Sequence, residues 1–411
     1  MKTVWIFNHF AAPPSIGQLT RHYNFAKQLI KVGYNVKVFA SSAVHNTDHN
    51  YISNGDLFVE MNENGVPFVF IKTRQYKGNR VARIINILEY YLRIFKVVKK
   101  FDRPDIIFAS SFHLLACIAG IKIAKKMKIP CVCEIRDLWP ETLVAYSGLK
   151  RSNPIVKILY SLEKRIYEKS DALIFTIEGG AEYVKERSIN ISEENIYHIN
   201  NGIELENFLQ DKNNFVFDDL DLSNNDYFNI VYAGSIRLSN SVNELIYVAE
   251  RLQAKNLSIK LLIWGKGDYV EKLKSEIVDK NLTNIIYKGG VEKKYIPSIL
   301  AQSDATLLHY RNSYLLNYGV SFNKMFDYLA SGKPVISTVQ TNYDIIEKNG
   351  AGVVSASSEI EDIVDAIVRV STLEKDEYSK YCENAIKLAA EYDFENLTDK
   401  LINIIETVAE R

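Results

Sequence analysis

The chain is poor in the residues that build stapled, fibrous or membrane-embedded proteins. It has four Cys, too few for a disulfide scaffold, which suits a reducing compartment. Glycine and proline are sparse, 19 and 9 of 411 residues, which excludes collagen-like and low-complexity chains. No apolar run approaches the roughly 18 residues of a membrane helix. The opening MKTVWIFNHF is apolar only until Asn8 and His9. That is too short for a secretion-signal core, so no export and a cytoplasmic location are expected. Net charge is also missing, with 50 basic residues against 50 acidic ones. The zero is a cancellation: residues 1–206 carry 28 Lys and Arg against 20 Asp and Glu, and the remainder carries 22 against 30. The split points to two domains with different partners, the basic half suiting an anionic surface or a phosphorylated substrate.

What the chain does have is alternation. Short apolar runs such as TVWIF (3–7), NVKVFAS (35–41), DIIFAS (105–110), PCVCEI (130–135) and DALIFT (171–176) alternate with helical periodicity, beginning with a helix over 17–32 that ends at Gly33. The pattern is that of an α/β chain with doubly wound parallel sheets. It stops in an Asn- and Asp-rich stretch and restarts at FNIVYAG (228–234), IKLLIWG (259–265), NIIYKG (284–289), ATLLHY (305–310) and KPVIS (333–337). The reading is therefore an N-terminal Rossmann-like domain over 1–205, a linker over 206–226 and a second such domain over 227–390. A last helix, 391–411, is expected to pack back on the first domain.

Function in such folds gathers where strands end. NHFAAPPSIG follows the first strand, with one Gly where G-x-G-x-x-G would be needed, so a dinucleotide fingerprint is absent, and no P-loop motif occurs. EIRDLWPE (134–141) puts Glu134, Arg136, Asp137 and Glu141 beside Trp139, directly after a strand. ASSFH (109–113) places His113 after another, where a capping role competes with a site role. Gly17 opens the first helix and leaves room for a ligand's close approach. In the second half, Gly234 and Ser235 are expected to open a helix. Arg237 and Lys324 are candidate cations for a diphosphate, and Asn323 and Asp327 share a helix face, where a carboxylate can grip ribose hydroxyls. Gly265 sits at another strand end. The Asp pair in DLD (219–221) and the Cys pair at 131 and 133 are poor metal patterns, and no metal site is expected.

These blocks together resemble family 4 glycosyltransferases of the two-lobed GT-B fold. RDLWPE, the upstream ASS-x-H and the downstream S-x-NK-x-FDY-x-A-x-GKPV are most similar to the bacterial O-antigen and capsule branch that includes L-fucosamine transferases. YHINNGI (197–203) matches the family's connector. The resemblance implies two domains facing a central cleft and a retaining, metal-independent transfer with no cofactor. The donor is a nucleotide diphosphate sugar, uridine preferred, and the acceptor a glycan or a lipid-linked one. By it, Gly234, Arg237 and Lys324 would meet the diphosphate, Asp327 the ribose and Val291 the base. Arg136 with Asp137 would face the reacting sugar, joined by His113 in catalysis. Gly17, Ser235, Gly265 and Asn323 fall on the donor side, and Glu134, Trp139 and Glu141 on the acceptor side. The chain departs from the family in three places. The first Glu of E-x7-E falls on Gly319, Arg136 replaces a common His, and the Lys or Gln that relatives carry near Asn240 is absent. A nucleotide-sugar 2-epimerase and a non-catalytic sugar-nucleotide-binding partner share the fold and stay open as alternatives. Residues 74–103 form a basic amphipathic segment that suits peripheral contact with the inner face of a membrane. Nucleic acid is not an expected partner.

Overall fold

The computed structural model describes residues 1–17, 19–76, 78 and 80–410. Gln18 of the expected first helix, Lys77 and Asn79 of the basic segment, and Arg411 of the last helix lie outside them. The chain forms two compact units: Met1–Asn200 with the chain from Phe394 onward, and Asn201–Asp393.

The first unit runs β1 (Thr3–Phe7), α1 (Arg21–Lys31), β2 (Asn35–Ser41), β3 (Phe58–Glu63), β4 (Val66–Ile71), α2 (Arg80–Val97), β5 (Ile106–Ser111), α3 (Leu114–Met127), β6 (Cys131–Ile135), α4 (Glu141–Ser147), α5 (Pro154–Lys169), β7 (Ala172–Phe175), α6 (Gly180–Glu186) and β8 (Ile196–His198). Its sheet has the order β3-β4-β2-β1-β5-β6-β7-β8. All pairings are parallel except β3 with β4. The central strands are covered on both faces, so TVWIF and ALIF are nearly all apolar. The sequence reading passed over β3, whose residues FVEMNE are exposed or half-buried at the sheet edge. The signal for it was Asn64-Gly65, both at positive φ (50° and 89°), the turn chemistry of a tight hairpin.

The second unit runs α7 (Leu205–Asn214), β9 (Phe228–Ala233), α8 (Glu244–Ala254), β10 (Ile259–Trp264), α9 (Val270–Asp279), β11 (Ile285–Gly289), α10 (Ile296–Gln302), β12 (Ala305–Leu308), α11 (Asn323–Ala330), β13 (Val335–Ser337), β14 (Gly352–Val354), α12 (Ile360–Ser371) and α13 (Lys375–Glu391). Its sheet is wholly parallel, in the order β11-β10-β9-β12-β13-β14. Residues read as linker thus include a helix, α7, whose Phe208 is buried in the core of this unit. The Asp pair of DLD is tied down inside it: Lys288 Nζ lies 2.7 Å from Asp219 and 2.8 Å from Asp221, and Lys260 Nζ lies 3.0 Å from Asp221.

The final helix, α14 (Phe394–Ala409), belongs to the first unit. Its buried face, Phe394, Leu397, Leu401, Ile405 and Val408, follows helical spacing. Phe394 meets Phe25 of α1 edge-on at 5.4 Å, and Glu406 pairs with Lys2 and Tyr34.

Candidate active site

In the first unit the strand order reverses beside β1, with β2, β4 and β3 on one side and β5 to β8 on the other. Open α/β sheets bind ligands at the carboxyl ends of strands flanking such a switch. The chain that follows β1, β5 and β6 is therefore placed for a ligand. β5 and β6 are neighbours, with Ser110 opposite Glu134 and Ser111 opposite Ile135.

Of the four charges in EIRDLWPE, two point inward. Glu134 is wholly buried. Its Oε1 accepts Arg21 Nε at 2.8 Å, and its Oε2 accepts Ser110 Oγ at 2.7 Å and lies 3.0 Å from His22 Nε2. The tautomer of His22 follows from Asn8. Phe10 N–H donates to Asn8 Oδ1 at 2.9 Å, which turns Asn8 Nδ2 toward His22 Nδ1 at 2.7 Å and leaves the ring proton on Nε2. Burial alone would raise the Glu134 pKa, but Arg21, His22 and Arg136 together hold it well below the carboxylate range. Arg21 also donates to the carbonyls of Ile199 (2.8 Å) and Asn200 (2.6 Å). Glu141 opens α4, is 1% exposed and is held by Arg151 and Tyr160. The expectation that Glu134 and Glu141 face an acceptor is thus corrected: both anchor the block from within. Arg21 is buried and its partner is 113 residues away, a pairing that no local pattern reveals.

Arg136 and Asp137 remain. The Arg136 carbonyl accepts Thr176 Oγ1 at 2.9 Å, and its guanidinium lies 5.5 Å from the Phe112 ring centre. Asp137 is exposed, and its carbonyl accepts the Trp139 N–H at 2.7 Å. Trp139 is half-buried. His113 sits at the amino end of α3, 6% exposed. Burial and the nearby Arg83 push its pKa down to about 3. Gly17 does not open α1, which starts four residues later. A Cβ there would lie 2.3 Å from that of Ala12, so the turn's own packing accounts for the glycine.

In the second unit the order reverses between β9 and β12. Gly234 and Ser235 follow β9, but α8 begins only at Glu244, after a short 3-10 turn over Leu238–Asn240. The expected helix start at Gly234 is corrected, and the cause is local. Tyr232 Oη and Asn240 Nδ2 both donate to the Ser235 carbonyl, at 3.1 and 2.9 Å, and Ser241 is left-handed at φ 53°. Gly265, at φ 150°, packs where a Cβ would lie 1.8 Å from the Gly234 carbonyl oxygen. Arg237 is exposed, and half-buried Val291 rests on the unit's core.

Asn323, Lys324 and Asp327 start α11. Asn323 is exposed. Lys324 Nζ donates to the His309 carbonyl at 2.8 Å and lies 4.6 Å from the Tyr232 ring centre. Burial lowers the Lys324 pKa to about 7. It raises that of Asp327 to about 6, against the pull of Lys293. Sequence reading did not single out His309, whose Nδ1 lies 2.9 Å from Thr338 Oγ1 and whose Nε2 lies 2.9 Å from the Ser241 carbonyl. Gly319 has φ 106°, so a glutamate at that position would be strained.

Residues 17–207 match the model of Glycosyltransferase Family 4, and residues 219–389 match that of Glycosyl transferases group 1. Both units are glycosyltransferase domains. Their two doubly wound sheets are those of the GT-B fold. No curated protein sequence matches this glycosyltransferase. Solved structures do resemble it. Sucrose-phosphate synthase of Thermosynechococcus elongatus has a TM-score of 0.74 at 13% identity, over 99% of each chain. HepE of Anabaena, in complex with UDP and glucose, has 0.67 at 13%, also over 99% of each. WaaG, a glycosyltransferase involved in lipopolysaccharide biosynthesis, has 0.62 at 15%, over 98% of this chain and 99% of that one. At such identities the likeness is one of fold.

Proposed function

We propose that this glycosyltransferase moves a sugar, with retention, from a uridine diphosphate sugar to a glycan or lipid-linked acceptor in surface polysaccharide synthesis. The observation that carries the reading is the start of α11. There Lys324 is held at the strand-order switch by the His309 carbonyl and the Tyr232 ring, one helical turn from Asp327. A desolvated lysine and an exposed Arg237 suit a diphosphate whose charge grows as the anomeric bond breaks. The half-buried Asp327 suits the ribose. HepE holds UDP and glucose, and WaaG serves lipopolysaccharide synthesis, which supports the donor class and the setting. Retention comes from the family resemblance. Front-face attack by the acceptor hydroxyl needs no enzymic nucleophile, and by the same resemblance Arg136 and Asp137 would meet the reacting sugar.

Lys324→Ala should weaken UDP by about 1.5–3 kcal/mol, the scale of a charge-assisted hydrogen bond. The pH dependence has a definite sign. A lysine with a pKa of about 7 in the free protein must be recharged to meet the diphosphate, so UDP affinity should fall as pH rises from 7 to 9. Lys324→Ala should flatten that slope, and calorimetry showing the same slope in both proteins would remove Lys324 from the site. With two cations present for the diphosphate, activity should survive EDTA. Complete loss, restored by manganese, would move the chain to a metal-dependent mechanism.

Membrane contact fits α2. This helix buries Tyr90, Ile94 and Val97 but exposes Val81, Ile84, Leu88 and Leu92 at 66%, 59%, 44% and 63%. Exposed Arg80, Lys96, Lys99 and Lys100 accompany that stripe. An apolar stripe edged by cations suits an anionic lipid surface. Among the described residues no helix is long and apolar enough to cross a membrane. Arg93 is half-buried and donates to the Lys72 carbonyl, so it is left out of the test. Arg80, Lys96 and Lys99 changed together to Gln should release the protein from anionic liposomes at low salt. Undiminished binding would place the docking surface elsewhere.

A further inference from the structure

His9 follows β1 and His113 follows β5, the two neighbouring strands at the switch point of the first unit's sheet. Their rings stand 4.9 Å apart. Both are almost wholly buried, at 1% and 6% exposure. Among the described residues none of their four ring nitrogens completes a hydrogen bond, although the Asn86 side chain is placed to bond His9 and raises its pKa. Buried polar atoms are rarely left so, because each lost partner costs about 1–3 kcal/mol. His113 is also the residue before the first turn of α3, a helix of 14 residues whose amino end carries no side-chain cap. Phe10 lies between this pair and His45, with ring centres 5.9 Å from His113 and 4.7 Å from His45. The Arg83 guanidinium sits 5.5 Å from the Phe10 ring centre and acts electrostatically on all three histidines.

We propose that the His9–His113 pair, with Arg83 and the amino end of α3, binds a phosphoryl group carried by the acceptor. The inference deepens the transferase reading and rests on it for the word acceptor. Four features make the place suit a phosphoryl anion. The helix end offers unspent N–H groups and a positive dipole. The two imidazoles offer N–H donors fixed by their packing. Arg83 brings a full positive charge. Phe10 and its neighbours keep the surroundings apolar, so each of these contacts is strong. The histidines are neutral in the free protein, held down by burial and by Arg83. The empty site therefore carries one cation rather than three in mutual repulsion. A neutral sugar hydroxyl would use one or two of these donors and leave Arg83 without an anion.

The test is a calorimetric titration of the whole chain with inorganic pyrophosphate in the presence of saturating UDP. UDP fills the proposed donor site in the second unit, so any remaining pyrophosphate binding reports the first. One pyrophosphate should bind under these conditions. His113→Asn and Arg83→Gln should each weaken it at least tenfold, while UDP affinity in the same samples stays within about twofold. Asn keeps the helix-capping chemistry at 113, and Arg83 is exposed, so neither change should impair folding. No pyrophosphate binding beside UDP, or binding indifferent to both substitutions, would overturn the proposal and make the pair merely hydrated core. Failure of UDP itself to bind would count against the donor reading and leave the pyrophosphate result standing separately.

Discussion

Glu134→Ala is expected to destabilise the first unit by about 3–5 kcal/mol, the range for breaking a buried charge pair by removing one partner. Two groups lose their acceptor at once, Arg21 and Ser110, and His22 loses the carboxylate that lies 3.0 Å from its Nε2. Arg21 would remain buried beside the carbonyls of Ile199 and Asn200 but without its carboxylate. Urea unfolding followed by tyrosine and tryptophan fluorescence gives the measurement, and a loss under about 1 kcal/mol would mean that Glu134 is not the anchor described. A companion triple change, Arg21→Met, His22→Phe and Glu134→Leu, should recover much of the loss, since apolar groups of similar volume often replace a buried ionic cluster without penalty. The same carboxylate predicts acid lability. Its pKa is depressed in the folded chain, so its contribution is complete above the ordinary glutamate range and is lost as pH falls through the folded value.

Asp137→Asn should lower kcat a hundredfold or more while UDP affinity stays within about twofold. The magnitude is that of a lost acid–base or charge-stabilising group. The structure narrows the choice to this residue. Glu134 and Glu141 are consumed inside the unit, whereas Asp137 is an exposed residue just past the carboxyl end of β6 whose pKa is raised by desolvation against the pull of Arg136. The candidate nucleotide contacts lie in the other unit, so the isosteric change should act on turnover alone. Arg136→Lys should also be damaging, because an ammonium cannot reproduce a guanidinium fork. Near-normal turnover in Asp137→Asn would reduce the whole block to a structural cluster.

The sheets were legible because their central strands are buried on both faces and so read as continuous apolar runs. The parts that escaped follow from the same physics. β3 is an exposed edge strand and lacks an apolar run. α7 has a single buried residue, Phe208, too little to stand out as a periodic face in an Asn-rich stretch. The carboxyl-end blocks were visible as charge beside aromatic residues, but sequence could not sort inward from outward charges. Glu134 and Asp137 are three residues apart in one motif, and only the strand's pleat and the distant Arg21 tell them apart. His9, His45 and His113 belong to three separate loops, and only the sheet order brings them to one place.

The last helix changes what counts as a domain here. Unit two occupies one continuous stretch, and its two ends meet: Ile203 N–H donates to the Tyr392 carbonyl at 3.0 Å, and Leu205 N–H to Asp393 Oδ2 at 3.1 Å. In topological terms it is an insertion into unit one, entering after Asn200 and leaving before Phe394. The insert can be excised as a single piece with its termini already joined by hydrogen bonds. Its host cannot be obtained by simple truncation. A fragment ending at residue 200 would lack α14 and bare the apolar seat that α1 offers to Phe394. Isolating the host intact calls for a short loop from 200 to 394, or a circular permutation that moves the last helix ahead of Met1.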